Sequence, residues 1–228
     1  MRRIECGAAG AAVRLSLAGA AGAAVLLLAG CSPSGGTRND ANKEASAPPK
    51  VEKAPGVFKL NLDTSKGVIV IEVHKDWAPI GVDHLFELVK TGYYDGNRFF
   101  RVTQRYAQFG INGDPTLNGL WSNAFLPDDP VKQSNVKGSV AFAHLGPNNR
   151  TTQLFFNLKD NKDLDKGGFA PIGKVISGME VMERLYSSYG DMPPRGQGPD
   201  PSKIQTQGNP YLESHFPRLD FVKKATIQ

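Results

Sequence analysis

From Phe58 onward the large apolar residues come in short runs, each closed off by glycine, proline, asparagine or a charged pair, and runs of this length favour strands over helices. Residues 58–63 and 68–73 flank Thr64-Ser65-Lys66-Gly67 and read as a hairpin. Residues 99–102 and 106–111 flank Gln104-Arg105 as a second pair, stopped by Asn112-Gly113. Four more runs follow at 139–143, 154–158, 169–175 and 218–227, the last placing Leu219, Phe221, Ala225 and Ile227 on one face. Apolar residues on both sides of the 68–73 run predict a strand covered on both faces, as in a barrel whose outer wall carries helices. Helical spacing shows in two places. At 79–91 the stripe is Val82, Leu85, Phe86 and Val89, with Pro79 at the start and Gly92 as the stop. From Ser177 the stripe is Met179, Met182, Leu185 and Tyr186, with Ser177 and Glu180 as a capping box and Gly190 as the end.

The first thirty residues have another character. Arg2, Arg3 and Arg14 precede an apolar run at 15–28, too short to span a bilayer comfortably and suited to a secretory signal. It ends in Leu28-Ala29-Gly30-Cys31, which resembles the lipobox of bacterial lipoproteins and implies cleavage before a lipidated Cys31. Residues 31–55, rich in Ser, Gly, Pro, Ala, Asn and Lys, are expected to form a flexible tether to a folded domain at 56–228. Ser32 after Cys31 points to an outer-membrane lipoprotein facing the periplasm. The two cysteines are Cys6 and Cys31, so the folded part has no thiol for a disulfide, a zinc thiolate or a nucleophile.

Of the net charge of +5, three arginines against Glu5 put two positive charges in the leader, and the rest is interspersed with acids, so no nucleic acid is expected as a partner. His74, His84, His144 and His215 are scattered without ligand spacing, and His84 reads as a surface or boundary residue. Asp128-Asp129, next to Pro130, reads as a turn former in a loop region at 114–138. Gly168 to Lys174 has the outline of a phosphate loop, but Val175 stands where a Ser or Thr must bind magnesium and no buried strand precedes it. The stretch at 191–217, rich in Pro, Gly and Gln, reads as a long excursion before the last strand. Arg101 sits within an aromatic strand, where its fork of donors either faces solvent or grips a carbonyl in a groove.

Four blocks decide between those alternatives. F-F-R-V from Phe99, Q-F-G-I-N-G-D-P from Gln108, G-P-N-N-R-T-T-Q-L-F-F from Gly146 and G-F-A-P-I-G-K-V from Gly168 together resemble the cyclophilin family of peptidyl-prolyl isomerases, in the family's order and near its spacing. The resemblance implies a mainly β fold, a closed eight-stranded barrel capped by two α-helices. It implies that Arg101 is the catalytic arginine, that Gln108 and Gln153 hold the peptide, and that Phe155 belongs to the proline pocket. Ala143 and His144 match positions that hold the substrate backbone, Leu164 and Phe169 match pocket walls, and Tyr106 matches a pocket residue.

Departures from the family pattern are equally definite. The segment between Arg101 and Gln108 is one residue short, and the Gln104-Arg105 break is expected to absorb the loss. Asp163 stands where many members carry tryptophan and Phe169 where many carry histidine, which predicts weak binding of cyclosporin-type macrocycles. The resulting expectation is a monomeric, cofactor-free isomerase for proline-containing unfolded or exported polypeptides, held to the membrane by its N-terminal lipid. The rival is a cyclophilin-like barrel that binds proline-containing segments and isomerises them poorly.

Overall fold

The computed structural model describes residues 52–228, so the signal sequence, Cys31 and most of the tether lie outside the described residues. Eight antiparallel strands, β1 (Val57–Thr64), β2 (Gly67–His74), β3 (Arg101–Val102), β4 (Tyr106–Phe109), β5 (Ser139–Phe142), β6 (Leu154–Asn157), β7 (Pro171–Ser177) and β8 (Val222–Ile227), make one curled sheet in the order β3-β4-β6-β5-β7-β2-β1-β8. β1 (Val57–Thr64) and β2 (Gly67–His74) form the expected hairpin in register from Val57 opposite His74 to Thr64 opposite Gly67. The last strand, β8 (Val222–Ile227), returns to pair with β1. Beyond the ladder, Gly96 N–H donates to Val222 O at 2.8 Å and Phe99 N–H to Asp220 O at 2.9 Å, so the segment leading into β3 meets the segment leading into β8.

Inside the curl, Leu60, Leu62, Ile69, Ile71 and Val73 meet a group of rings, Phe99, Phe109, Phe142 and Phe156. Helix α1 (Pro79–Lys90) lays Val82, Leu85, Phe86 and Val89 against this core, as the stripe predicts, and the chain leaves it through Gly92 at a φ of 72°. Residues 52–55 belong partly to the folded body: Ala54 is buried and its N–H donates to Asp83 Oδ1 at 2.9 Å.

Several expectations change. β2 buries only Ile69, Ile71 and Val73, and Val68 is 51% exposed, so among the described residues no helix layer covers its outer face. The capping box does not form. Ser177 is the last residue of β7 (Pro171–Ser177), because the strand runs on until Gly178 turns at a φ of 93°. A Cβ there would sit 2.5 Å from Val68 O, which only glycine avoids. Helix α3 (Met179–Glu183) is correspondingly short, and Tyr186, beyond it, donates its N–H to Asp220 Oδ2 at 2.7 Å. In the closing strand Val222 and Ala225 face the core, while Phe221 is half-buried beneath the Arg98 guanidinium.

Two helices occupy segments read as loop or excursion. Helix α2 (Pro115–Trp121) begins at Asp114, whose side chain accepts from Thr116 N at 2.8 Å. Helix α4 (Pro201–His215) begins in the same way, with Asp200 accepting from Ser202 N at 2.9 Å, and kinks at Gly208 ahead of Pro210. An acid cap followed by proline at the first helical position starts both. Ile204, Tyr211 and Leu212 of α4 close over Phe100, Ile111 and Leu219 in a second apolar cluster. The two phenylalanines at 99 and 100 thus serve opposite faces of the chain, the first in the core inside the curled sheet and the second beneath α4.

Candidate active site

Strand register builds the site. Arg101 of β3 (Arg101–Val102) lies opposite Gln108 of β4 (Tyr106–Phe109), and Gln108 lies opposite Phe155 of β6 (Leu154–Asn157). Residues directly opposite in a ladder point to the same side of the sheet, so these three form one row across three strands. Their neighbours Ala107, Phe109, Leu154 and Phe156 point the other way, into the core. The shortened segment between Arg101 and Gln108 therefore costs no change of facing. It is taken up in a tight turn, where Thr103 N–H donates to Tyr106 O at 3.0 Å and Thr103 Oγ1 accepts from Arg105 N at 3.1 Å.

Arg105 at the tip of that turn donates to Asp163 Oδ1 and Oδ2 at 2.7 and 2.6 Å and to Asn161 Oδ1 at 2.9 Å, tying the hairpin to the 3-10 turn at Lys162–Gly167. The pairing raises the Arg105 pKa and holds Asp163 below the usual carboxylate range. Asp163 thus points to the hairpin, at the position where the family often carries a tryptophan.

Arg101 is 7% exposed and almost fully engaged. Nη1 donates to Gln108 Oε1 at 3.0 Å and Nη2 to the Tyr106 hydroxyl at 2.6 Å. Nε and Nη2 donate to the two carboxylate oxygens of Asp191 at 2.6 and 3.2 Å. Burial pushes the Asp191 carboxyl up, but the bonds and charge of Arg101, the Met192 N–H and Arg195 outweigh it and leave the pKa below its ordinary value. Gln108 in turn donates from Nε2 to Gln153 Oε1 at 2.9 Å, which fixes the amide whose oxygen Arg101 holds. Nothing in its setting of Tyr189-Gly190-Asp191-Met192 marks Asp191 in the sequence.

Beside the arginine lies an aromatic pocket. Phe155 meets Tyr106 edge to face at 6.1 Å and Phe169 at 5.6 Å, and His144 stacks flat on Phe169 at 4.0 Å. Burial is the main cause holding the His144 pKa below its ordinary value, with Asp128 pulling the other way, so the stacked ring is neutral at pH 7. A groove of about 700 Å³ opens here, and its walls include all nine candidates: Arg101, Tyr106, Gln108, Ala143, His144, Gln153, Phe155, Leu164 and Phe169. The opposite wall comes from the excursion, through Met192, Pro193 and Arg195 and the start of α4 at Pro201 and Gln205. A second, smaller cavity of about 280 Å³ adjoins it under α2, sharing Thr151 and Gln153.

The loop that carries His144 is braced by a different arginine. Arg150, 1% exposed, donates from Nη1 to Asp129 Oδ2 at 3.0 Å and from Nη2 to Pro127 O. The same Asp129 accepts from Ile80 N at 3.0 Å and Gly81 N at 2.8 Å, the free N–H groups at the start of α1. Asp129 is therefore a buried clamp between helix and loop rather than a turn former. His84 is also buried, edge-on to Trp121 at 5.4 Å, and burial lowers its pKa. Among the described residues no group of three His, Cys, Asp or Glu converges as metal ligands.

The family described as cyclophilin type peptidyl-prolyl cis-trans isomerase/CLD matches residues 58–205. The chain belongs to the cyclophilin family. It is 37% identical to peptidyl-prolyl cis-trans isomerase-like 1 of Rhizopus delemar over 131 residues, covering 54% of this chain and 77% of that protein. To the isomerase ppi1 of Schizosaccharomyces pombe it is 34% identical over 132 residues, 55% of this chain and 83% of the relative. In fold it is similar to a Cryptosporidium parvum cyclophilin type peptidyl-prolyl cis-trans isomerase, with a TM-score of 0.55 at 19% identity, covering 75% of this chain and 98% of the other. This cyclophilin is accordingly a peptidyl-prolyl cis-trans isomerase by family, and the curled eight-stranded sheet with its helices is the family's fold.

Proposed function

We propose that this cyclophilin assists the folding of exported proteins by turning X-Pro bonds in the groove beside Arg101. Amide resonance puts a barrier of roughly 18–20 kcal/mol on the rotation, and the uncatalysed exchange takes about tens of seconds or longer. No bond has to be broken. As the amide twists, its nitrogen lone pair localises, and a fixed donor aimed at it is worth more in the twisted state than in either planar one. The arginine has five donors. With two on Asp191, one on Tyr106 and one on Gln108, a single Nη1 N–H is left for that task. Phe155, Phe169, Leu164 and Tyr106 supply an apolar seat for the proline ring, and Gln108, Gln153, Ala143 and His144 are placed to hold the peptide on either side.

The observation that carries the reading is the row Arg101, Gln108, Phe155 on one face of three paired strands. A solved cyclophilin of similar fold from Cryptosporidium parvum was determined in the presence of the dipeptide ala-pro, in keeping with a proline-containing ligand. The near saturation of Arg101 supports a second reading, a binding module for proline-containing segments that isomerises them slowly. A refolding assay limited by proline isomerisation separates the two: wild type accelerates the slow phase and Arg101→Ala does not, whereas equal rates favour the binding module.

The cellular setting proposed is that of a monomer held at the outer membrane through a lipid on Cys31, its barrel closed where Arg98 bridges to Phe221. The basic leader, short apolar run and small residues before Cys31 support export and anchoring. Mass spectrometry of the N-terminal peptide tests it: a diacylglyceryl mass on Cys31 is expected, and an unmodified Cys31 or an intact leader would sink the idea.

A further inference from the structure

The structure assigns Asp191 as a positioning residue for Arg101, supplied by the folded excursion between α3 and α4. This rests on the reading of Arg101 as the group that meets the prolyl nitrogen. Asp191 comes from 90 residues further along the chain and takes the Nε edge of the guanidinium in a two-point grip. Gln108 and Tyr106 hold the outer nitrogens. An arginine side chain has many rotamers, and a bidentate carboxylate fixes both the plane and the rotation of the fork in a way that single bonds cannot. With that edge fixed, the remaining Nη1 N–H has one direction.

The excursion is built to hold this carboxylate in place. Asp191 Oδ1 also accepts from Met192 N at 2.8 Å, and Asp191 O accepts from Gly198 N at 2.9 Å. A Cβ on Gly196 would overlap the Asp191 carbonyl, so the loop folds back on the aspartate more tightly than a residue with a side chain allows. Met192 then packs on the cluster made by Ile204, Tyr211 and Leu212 of α4 over Phe100. Phe100 is the residue before Arg101. One small apolar cluster therefore braces both partners of the ion pair, the arginine through its strand and the carboxylate through its loop. Arg195 Nε, 3.3 Å from Oδ2 on an exposed side chain, adds charge at the outer side without competing for the inner bonds.

Steady-state kinetics on a prolyl peptide, with melting temperatures for every variant, test the assignment. Asp191→Ala is expected to lower kcat by roughly tenfold to a hundredfold while KM stays within about twofold, because the arginine is misdirected while the pocket is intact. Asp191→Asn keeps the size and one acceptor oxygen, so it should fold like wild type and fall between the two. The Arg101 Nε–H resonance should exchange slowly in wild type and fast in Asp191→Ala. If Asp191→Ala matches or exceeds wild type while Arg101→Ala is inactive, the aspartate restrains or merely decorates the site and the assignment is overturned. A loss seen only in KM, or an unchanged Nε–H signal, overturns it as well. If Arg101→Ala itself turns over like wild type, the catalytic reading of the arginine has failed, a result distinct from failure of the aspartate alone.

Discussion

Arg101 and Arg150 are both buried and both paired to an aspartate, the first in the wall of the groove and the second bracing the loop that carries His144, yet they do opposite things. Arg150 is held by the Asp129 carboxylate that also caps α1 and by the Pro127 carbonyl, while its buried Nε, 3.6 Å from Asp128, makes no hydrogen bond, and the residue is not among those lining the groove. Around Arg101 the partners are three side chains, Asp191, Gln108 and Tyr106, and one Nη1 N–H is left beside an open groove. The comparison teaches that burial and ion pairing do not mark a functional arginine. What marks it is a cavity for a spare donor to face.

Changing each arginine in turn should pull the two sites apart. Arg150→Ala strands the buried Asp129 carboxylate and removes a strut between α1 and the His144 loop, so unfolding in denaturant should show a loss of about 3–5 kcal/mol. Activity per folded molecule should fall far less. Arg101→Ala should show the reverse, a drop in kcat/KM of about a hundredfold or more with a much smaller change in the denaturation midpoint. If both variants lose mainly stability, the distinction between the two arginines collapses. On the groove side, Phe155→Ala should raise KM by roughly tenfold by opening the proline seat between Tyr106 and Phe169, measured with the same peptide.

The smallest effect concerns pH on the Arg150 side. His84 has a pKa depressed by burial, with Arg150 adding to the shift. Below the ordinary histidine value near 6.5 the unfolded chain takes up a proton that the folded chain resists, so stability should decline as pH falls through about 6.5 and level off below the folded value. His84→Phe should flatten that slope in melting curves taken from pH 7.5 to 5. An unchanged slope would mean that another group carries it.

The groove residues were legible in the sequence because they sit on short strands whose order and turns leave little freedom, and the four family blocks fall on those strands. Arg101, Gln108 and Phe155 need only correct register to meet, and Thr103 to Tyr106 kept that register despite the missing residue. The other wall was hidden. A stretch such as Gly196-Gln197-Gly198-Pro199 has the composition of a tether, and its order comes from apolar partners far away, Phe100 and Ile111, that no local pattern connects to it. Both missed helices carried a readable sign in the Asp-Pro that starts them. The clamp at Asp129 carried none, since a paired acid beside proline looks the same whether it turns in water or caps a buried helix.

The pairing of β1 with β8 joins the first strand of the domain to the last, with Leu60 opposite Ile227. A chain made from its N-terminus delivers β1 early and β8 at the very end. Until then the edge of β1 offers unpaired backbone groups to any neighbouring strand. Long-range closures of this kind are slow, because the chain entropy between the ends is lost before the contact is made. This cyclophilin would thus emerge with its own seam open, and a truncation of only the last few residues should prove as damaging as one in the middle of the core.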